Sequence, residues 1–179
     1  MDMPHTRAAL RALACALILL STAAPATAAP HPAQQEVSPQ ALRYRIFNTE
    51  GDCLDGNNPN ALYLWDCVNA TNQYWYFDVR SDGWTQLRNA KTQRCIRTSS
   101  FGAYDVPVVT GPCSSSGEDL WYGIHRESGW YWLAPYGWDS YDDPCINGPR
   151  SGNGQGLFMN QCNAQQWPTN YWAWTPIAE

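Results

Sequence analysis

Short runs of alternating apolar and polar residues cover the chain from residue 42 onward. In the first run, Tyr44 and Ile46 alternate with Arg43 and Arg45, which is the two-residue period of a half-buried strand. No later segment shows a sustained apolar stripe with the 3.6-residue period of a helix. Turn residues interrupt the runs roughly every 8 to 12 residues, a spacing typical of sandwiches and barrels. We therefore predict an all-β domain.

One order of cysteines and tryptophans occurs three times in this domain. Residues 53–77 contain Cys, an acidic residue two places later, a polar turn, a run ending Trp-x-Cys, and Asn-Gln-x-Trp. Weaker copies span residues 95–121 and 145–172, so the first cysteines lie 42 and 50 residues apart. A fixed internal period of this kind indicates a repeat architecture, and three copies favour a barrel-like trefoil over a sandwich.

We predict a trefoil over residues 42–177, with repeats at about 42–83, 84–128 and 129–177 and about four short strands in each. The predicted strands lie near residues 44–48, 53–54, 62–66 and 74–79, then 84–89, 95–96, 106–110 and 120–124, and finally 130–134, 145–146, 157–160 and 171–175.

Residues 1–28 have the pattern of a secretory signal peptide. Arg7 and Arg11 precede a short apolar run, which leads into the small residues Ala26-Thr27-Ala28. The apolar run is too short for a membrane span, which needs about 20 residues. We therefore expect a secreted, extracellular protein without membrane insertion, in which residues 29–41 form a flexible lead-in rich in Pro and Gln.

Removal of this leader leaves six of the seven cysteines, because Cys15 lies within it. Export favours disulfides over metal ligands. Six cysteines permit 15 pairings, and the repeat favours one pair within each unit, closing a loop worth about 3 kcal/mol in chain entropy. The predicted pairs are Cys53 with Cys67, Cys95 with Cys113, and Cys145 with Cys162.

Charge and composition limit the chemical class of the expected binding partner. Without Arg7, Arg11 and Asp2, the 11 basic and 16 acidic residues become 9 and 15, a net charge of −6. A chain without a basic cluster has no electrostatic footprint for nucleic acid, so we expect a neutral partner. Two histidines remain and there is no Cys-x-x-Cys, so we expect neither a metal nor another cofactor.

A candidate ligand surface lies in the first repeat. Leu62 and Leu64 share one face of a predicted strand, which places Tyr63 and Trp65 on the other. An indole can cover the apolar face of a sugar ring, and a carboxylate such as Asp55 can bind its hydroxyl groups. The other repeats lack this set, because Gly111 and Asn160 replace Trp65, and Arg97 and Asn147 replace Asp55. We therefore expect one competent site.

These motifs resemble the ricin B-type β-trefoil lectin family. The resemblance rests on C-x-D, W-x-C and N-Q-x-W, which here are Cys53 and Asp55, Trp65 and Cys67, and Asn72, Gln73 and Trp75. It implies a twelve-stranded trefoil that binds galactose or N-acetylgalactosamine-type sugars or a polysaccharide.

The resemblance also implies a role for each residue of the candidate site. Asp55 would accept hydrogen bonds from two sugar hydroxyls, Trp65 would stack on the ring, and Asn72 would bind a hydroxyl. Gln73 would brace Asp55 from behind. Tyr63 replaces a small or polar residue of the family beside the pocket, and Trp75 would belong to the core with its counterparts Trp121 and Trp172.

We expect no enzymatic activity, because no nucleophile with a base is marked and His125 lies in no motif. Two alternatives stay open. One is a trefoil that acts through its protein surface, as an inhibitor or a toxin accessory subunit. The other is a glycoside hydrolase built from carboxylates. The oligomeric state is open.

Overall fold

The computed structural model describes residues 42–100, 103–114, 116–126, 128–138, 143–149, 153–162 and 170–178. The predicted signal peptide and lead-in lie outside these ranges and stay predictions. Within them no helix has the length and apolar character needed to cross a bilayer. The strands are β1 (Arg43–Asn48), β2 (Asp52–Asp55), β3 (Tyr63–Asp66), β4 (Tyr74–Val79), β5 (Thr85–Asn89), β6 (Cys95–Thr98), β7 (Pro107–Gly111), β8 (Trp121–His125), β9 (Tyr131–Pro135), β10 (Pro144–Asn147), β11 (Gln155–Gln161) and β12 (Trp172–Pro176), with a 3₁₀ turn at Thr71–Gln73.

Six of these strands form a closed ring. β1 pairs with β4, β4 with β5, β5 with β8, β8 with β9, β9 with β12, and β12 again with β1, always antiparallel. The other strands form the hairpins β2–β3, β6–β7 and β10–β11, and β11 also pairs with β3 and β7. The prediction of an all-β barrel of trefoil type is confirmed.

The centre of the barrel is built around three tryptophans that are almost completely buried. Each side chain packs in the hydrophobic core, and each indole N–H donates a hydrogen bond, so that burial leaves no polar atom of the ring unpaired. The acceptors of Trp75, Trp121 and Trp172 are the carbonyl oxygens of Leu54 (3.1 Å), Ile96 (2.9 Å) and Ile146 (3.0 Å). These rings are structural, as predicted.

All three predicted disulfides are present. Each joins the first strand of a hairpin to the residues at or just beyond the end of its second strand, with 5.0 Å between the Cα atoms. The pairs are Cys53–Cys67, Cys95–Cys113 and Cys145–Cys162. Every hairpin is therefore closed by its own covalent link at the end opposite its turn.

Candidate functional site

The first hairpin presents two aromatic rings to solvent beside a buried carboxylate. Leu62 and Leu64 are buried, whereas Trp65 is 41% exposed and Tyr63 is half-buried. Tyr63 lies opposite Asp55 in the register of β2 and β3, and the rings of Tyr63 and Trp65 meet edge to face with 6.1 Å between centroids. The predicted alternation of faces is confirmed.

Three nitrogen donors hold the Asp55 carboxylate, which is 3% exposed. Oδ1 accepts from the backbone N–H of Asn57 (2.9 Å), and Oδ2 accepts from Asn72 Nδ2 (2.6 Å) and Gln73 Nε2 (3.2 Å). A carboxylate offers about four acceptor positions. Oδ1 has one of these donors and Oδ2 has two, so Oδ1 keeps the larger spare acceptor capacity, for which the Tyr63 hydroxyl and a ligand hydroxyl would compete.

Gln73 is completely buried and ties this carboxylate to the end of the hairpin. Its Nε2 also donates to the carbonyl oxygen of Asp66 (2.9 Å), and its Oε1 accepts from the backbone N–H of Val68 (2.7 Å). The 3₁₀ turn at Thr71–Gln73 delivers Asn72 and Gln73 to Asp55 from consecutive positions. Gln73 thus lies where the resemblance places a brace.

Tyr63 narrows the space above Asp55. Burial raises the pKa of its hydroxyl, and the negative charge of Asp55 and a hydrogen bond to it raise that pKa further, whereas a hydrogen bond with Asn57 lowers it. The hydroxyl therefore stays protonated at neutral pH and lies close to the same carboxylate that a ligand hydroxyl would approach.

Residues of the third repeat contact Trp65 and the residue that follows it. Asn153 accepts from the backbone N–H of Asp66 (2.7 Å) through Oδ1 and donates to Asp66 Oδ2 (3.0 Å) through Nδ2. Gly154 has φ +82°, and a Cβ built on it would lie 3.8 Å from Trp65 Cζ3. Sequence reasoning missed both residues. The Asn-Gly dipeptide signals a turn but does not show what the turn touches.

The second repeat holds the polar loop between β2 and β3. Lys91 Nζ hydrogen-bonds Asn57 Oδ1, and a guanidinium nitrogen of Arg94 donates to Asn60 Oδ1 (3.1 Å). Thr110 Oγ1 donates to the carbonyl oxygen of Asn58 (3.3 Å). The loop that positions the Asp55 turn is therefore anchored outside its own repeat.

The equivalent place in the second repeat is filled from within. Arg97 forms an ion pair with Glu118, the residue that replaces Asn72. A Cβ built on Gly111 would clash with Arg97 Cδ, so the arginine lies across the place of a missing ring. Buried Asp119, the counterpart of Gln73, accepts from the backbone N–H of Ser114 (2.6 Å) and from Gln86 Nε2 (2.8 Å).

The third repeat has neither the carboxylate nor the ring. Asn147, which replaces Asp55, is completely buried, and its Nδ2 donates to the carbonyl oxygens of Cys145 (3.0 Å) and Asn160 (3.2 Å). Asn160 itself replaces Trp65. Thr169, the counterpart of Asn72, lies outside the described residues. The amino group of the Asn147 amide is therefore engaged by its own hairpin.

Two features bear on metal binding and catalysis. Cys95, Cys113 and Asp119 are the cluster of potential metal ligands found among the described residues, and both sulfurs form the second disulfide. His125 ends β8, and its ring meets Tyr131 edge to face at 5.2 Å. Neither arrangement provides a prepared metal or acid–base centre.

Fold and family agree. A closed six-stranded ring with three hairpins defines a β-trefoil protein, and the first hairpin adds an exposed indole beside a fixed carboxylate. The sequence profile of the ricin-type beta-trefoil lectin domain matches residues 42–167, so the chain belongs to this family. This confirms the resemblance read from the sequence. No curated protein matches the chain.

Solved structures support the fold. The designed 3-fold symmetric protein ThreeFoil matches with a TM-score of 0.62 at 14% identity, covering 75% of this chain and 99% of ThreeFoil. The Macrolepiota procera ricin B-like lectin, solved in complex with lactose, matches with a TM-score of 0.61 at 12% identity, covering 76% of this chain and 96% of the lectin. An exo-β-1,3-galactanase from Clostridium thermocellum gives 0.67 at 17%, covering 78% of this chain and 31% of the galactanase.

Proposed function

We propose that the protein is a secreted lectin with three trefoil repeats, of which the first holds the competent site. It binds a neutral sugar of galactose or N-acetylgalactosamine type without changing it chemically. The observation that carries this proposal is the pairing of a buried, amide-held Asp55 with an exposed Trp65 on adjacent strands.

The contacts define a pose for the sugar. Its apolar C–H face would cover the Trp65 indole, and a hydroxyl would donate to Asp55 Oδ1. Hydrogen bonds to a carboxylate are roughly twice as strong as neutral ones. Asn72 would accept a second hydroxyl through Oδ1, because its Nδ2 already donates to Asp55. Since these groups are fixed in advance, little ordering is needed on binding.

Tyr63 would select among sugars. Its ring stands opposite Asp55 and against Trp65, so it limits the size of the substituent that fits above the carboxylate. We expect Tyr63→Ser to broaden the set of sugars bound while retaining dependence on Asp55. A variant with the wild-type preference at unchanged affinity would remove Tyr63 from the site.

The galactose assignment draws on the family and on proteins of the same fold. One of them was solved with lactose, and others are named as an exo-β-1,3-galactanase and an endo-β-galactosidase. A single shallow site binds one sugar weakly, so useful avidity would come from oligomers or from a dense glycan surface.

The test is a glycan array probed with residues 29–179 and with Asp55→Ala and Trp65→Ala. Matched controls are Asp82→Ala and Trp138→Ala, which remove an exposed carboxylate and an exposed ring far from Asp55 in sequence. Thermal melting establishes that each protein is folded. We expect binding to galactose-containing glycans that the two site variants lose and the two controls keep.

Other outcomes would reject the proposal. Failure of the folded wild type to bind any glycan would favour a module that recognises proteins. Equal loss in the controls would place binding elsewhere. Release of reducing sugar during incubation would indicate a glycoside hydrolase.

A further inference from the structure

The end of the barrel remote from the three hairpins has a layer of six equivalent positions. Three belong to β1, β5 and β9, where the residue opposite the core tryptophan is Tyr44, Thr85 or Tyr131. The other three lie two residues after each core tryptophan and are Phe77, Gly123 and Trp174. The first and third repeats thus supply four rings, and the second supplies none.

The four rings form a continuous row. Tyr44 and Phe77 have centroids 4.6 Å apart, Phe77 and Trp174 5.2 Å, and Tyr131 stacks on Trp174 at 4.3 Å. A Cβ added to Gly123 would lie 3.4 Å from Trp174 Cη2 and 3.5 Å from Tyr131 Cδ1. The Tyr131 and Trp174 end of the row therefore lies beside the second repeat, whose residues in this layer, Thr85 and Gly123, are small.

A cavity of about 170 Å³ occupies this side. Its lining includes the buried residues Leu87, Trp121 and Leu133 and the partly buried rings of Tyr131 and Trp174. The cavity follows from the missing aromatic side chains at two of the six equivalent positions. It therefore lies where the other two repeats place aromatic side chains.

A second recess adjoins the cavity and shares Gly83 and Tyr122 with it. Asp82 and Trp84 complete this recess. The Asp82 carboxylate accepts from the backbone N–H of Trp84 (3.2 Å) and pairs with Arg80 (2.9 Å). Because a carboxylate offers about four acceptor positions, Asp82 can take a further donor in this recess.

We propose that this cavity is a second ligand site, independent of the sugar site, for a small uncharged planar ring with an N–H or O–H on its outer edge. An apolar cavity of about 150 Å³ is sufficient to bind benzene. The ring would meet aromatic walls in edge-to-face or offset geometry. Its edge donor would extend past Gly83 and Tyr122, which line both spaces, toward Asp82 in the adjoining recess. Indole and phenol have this chemistry.

The test is a titration of the ¹⁵N-labelled protein with indole and with phenol, followed by amide chemical shifts. We expect saturable shifts at Gly83 and Gly123, with the amides of Asp55 and Asn72 unmoved. Thr85→Tyr copies the residue of the other two repeats and fills the cavity, so it should weaken binding by about tenfold or more. Trp65→Ala should lose sugar binding and keep indole binding.

Gly123→Ala provides a second variant if Thr85→Tyr does not fold, because its methyl group enters at ordinary contact distance. It should weaken indole binding by a smaller factor. The proposal is overturned if neither ring gives saturable shifts, if the shifts centre on Trp65, or if folded variants bind as tightly as the wild type. Absence of binding, or unchanged binding in the variants, would leave the proposed sugar site untouched, whereas shifts centred on Trp65 would place the ring in that site.

Discussion

The first and second hairpins place different chemistry on the same backbone frame. In the first, amides hold a buried carboxylate beside an exposed indole, whereas in the second Arg97 pairs with Glu118 and covers Gly111. Buried polar groups need partners. The comparison teaches that a hairpin without a ligand surface can supply those partners from its own side chains.

One position has the same role in both hairpins. Gln73 and Asp119 each accept the backbone N–H of the residue after the second cysteine, from Val68 at 2.7 Å and from Ser114 at 2.6 Å. Because this contact occurs in both hairpins, it serves the fold rather than ligand binding. The positions of Asp55, Trp65 and Asn72 differ between the hairpins and are free to serve binding.

The largest effect is expected from converting the second hairpin into the first. Arg97→Asp frees the space above Gly111 and supplies the carboxylate. The ring, the amide and the brace are then restored by Gly111→Trp, Glu118→Asn and Asp119→Gln. The combined variant should bind two sugars per chain in calorimetry. On a dense glycan surface its avidity should rise by roughly 10²-fold or more. A folded variant that still binds one sugar would show that these positions do not suffice.

Removing the side chain at the position of Gln73 should distinguish its effect on stability from its effect on sugar binding. Gln73→Ala and Asp119→Ala each leave a backbone N–H without its acceptor, so each should lower the free energy of unfolding by about 1–3 kcal/mol. Only Gln73→Ala should also weaken sugar binding, because Asp55 loses a donor. Urea denaturation and a sugar titration measure the two effects. Equal weakening by Asp119→Ala would mean that the hairpins are coupled.

Removing the Arg97 side chain alone should have only a small effect on stability and none on sugar binding. Arg97 and Glu118 are both partly exposed, and such ion pairs contribute about 0.2–1 kcal/mol. Arg97→Ala should therefore cost no more than this in urea denaturation and should create no sugar site. The double variant with Glu118→Ala separates the pair from the single residues. New sugar binding by Arg97→Ala would show that the arginine alone closes the site.

The smallest effect concerns charge around the first hairpin. Burial and the charges of Asp66 and Glu50 raise the pKa of Asp52 above its usual 3.8. The folded state then binds a proton more readily than the unfolded state. The free energy of unfolding therefore falls as the pH rises from 3.8 to the raised pKa of Asp52 in the folded protein. Asp52→Asn removes this loss and should stabilise the protein at neutral pH by a few tenths of a kcal/mol.

Thermal melting at pH 7 and at pH 3 checks this prediction. The gain should be present at neutral pH and vanish at the acidic end. The second hairpin has Arg94 and Pro112 at the equivalent positions, so Arg94→Gln should not raise stability. A gain of equal size at both pH values would exclude the carboxylate repulsion as its cause.

Local patterns predicted much of this molecule. Alternation placed Tyr63 and Trp65 outside and Leu64 inside, and the recurring cysteines predicted each disulfide, because both depend on neighbours in sequence. The sequence did not predict contacts between hairpins. Asn153 reaches Asp66 across 87 residues, and Lys91 reaches Asn57 across 34. Such pairs follow only from how the hairpins meet around the barrel.

The pairing of β1 with β12 has a consequence for biosynthesis. Tyr44 lies opposite Pro176, so the ring cannot close until the last strand has left the ribosome. Contacts this distant in sequence form slowly, because their loop entropy is lost before any pairing is gained. During that interval the aromatic residues of the core are exposed to solvent. A chain that crosses a membrane before folding, as the predicted leader implies, would complete its barrel only on the far side.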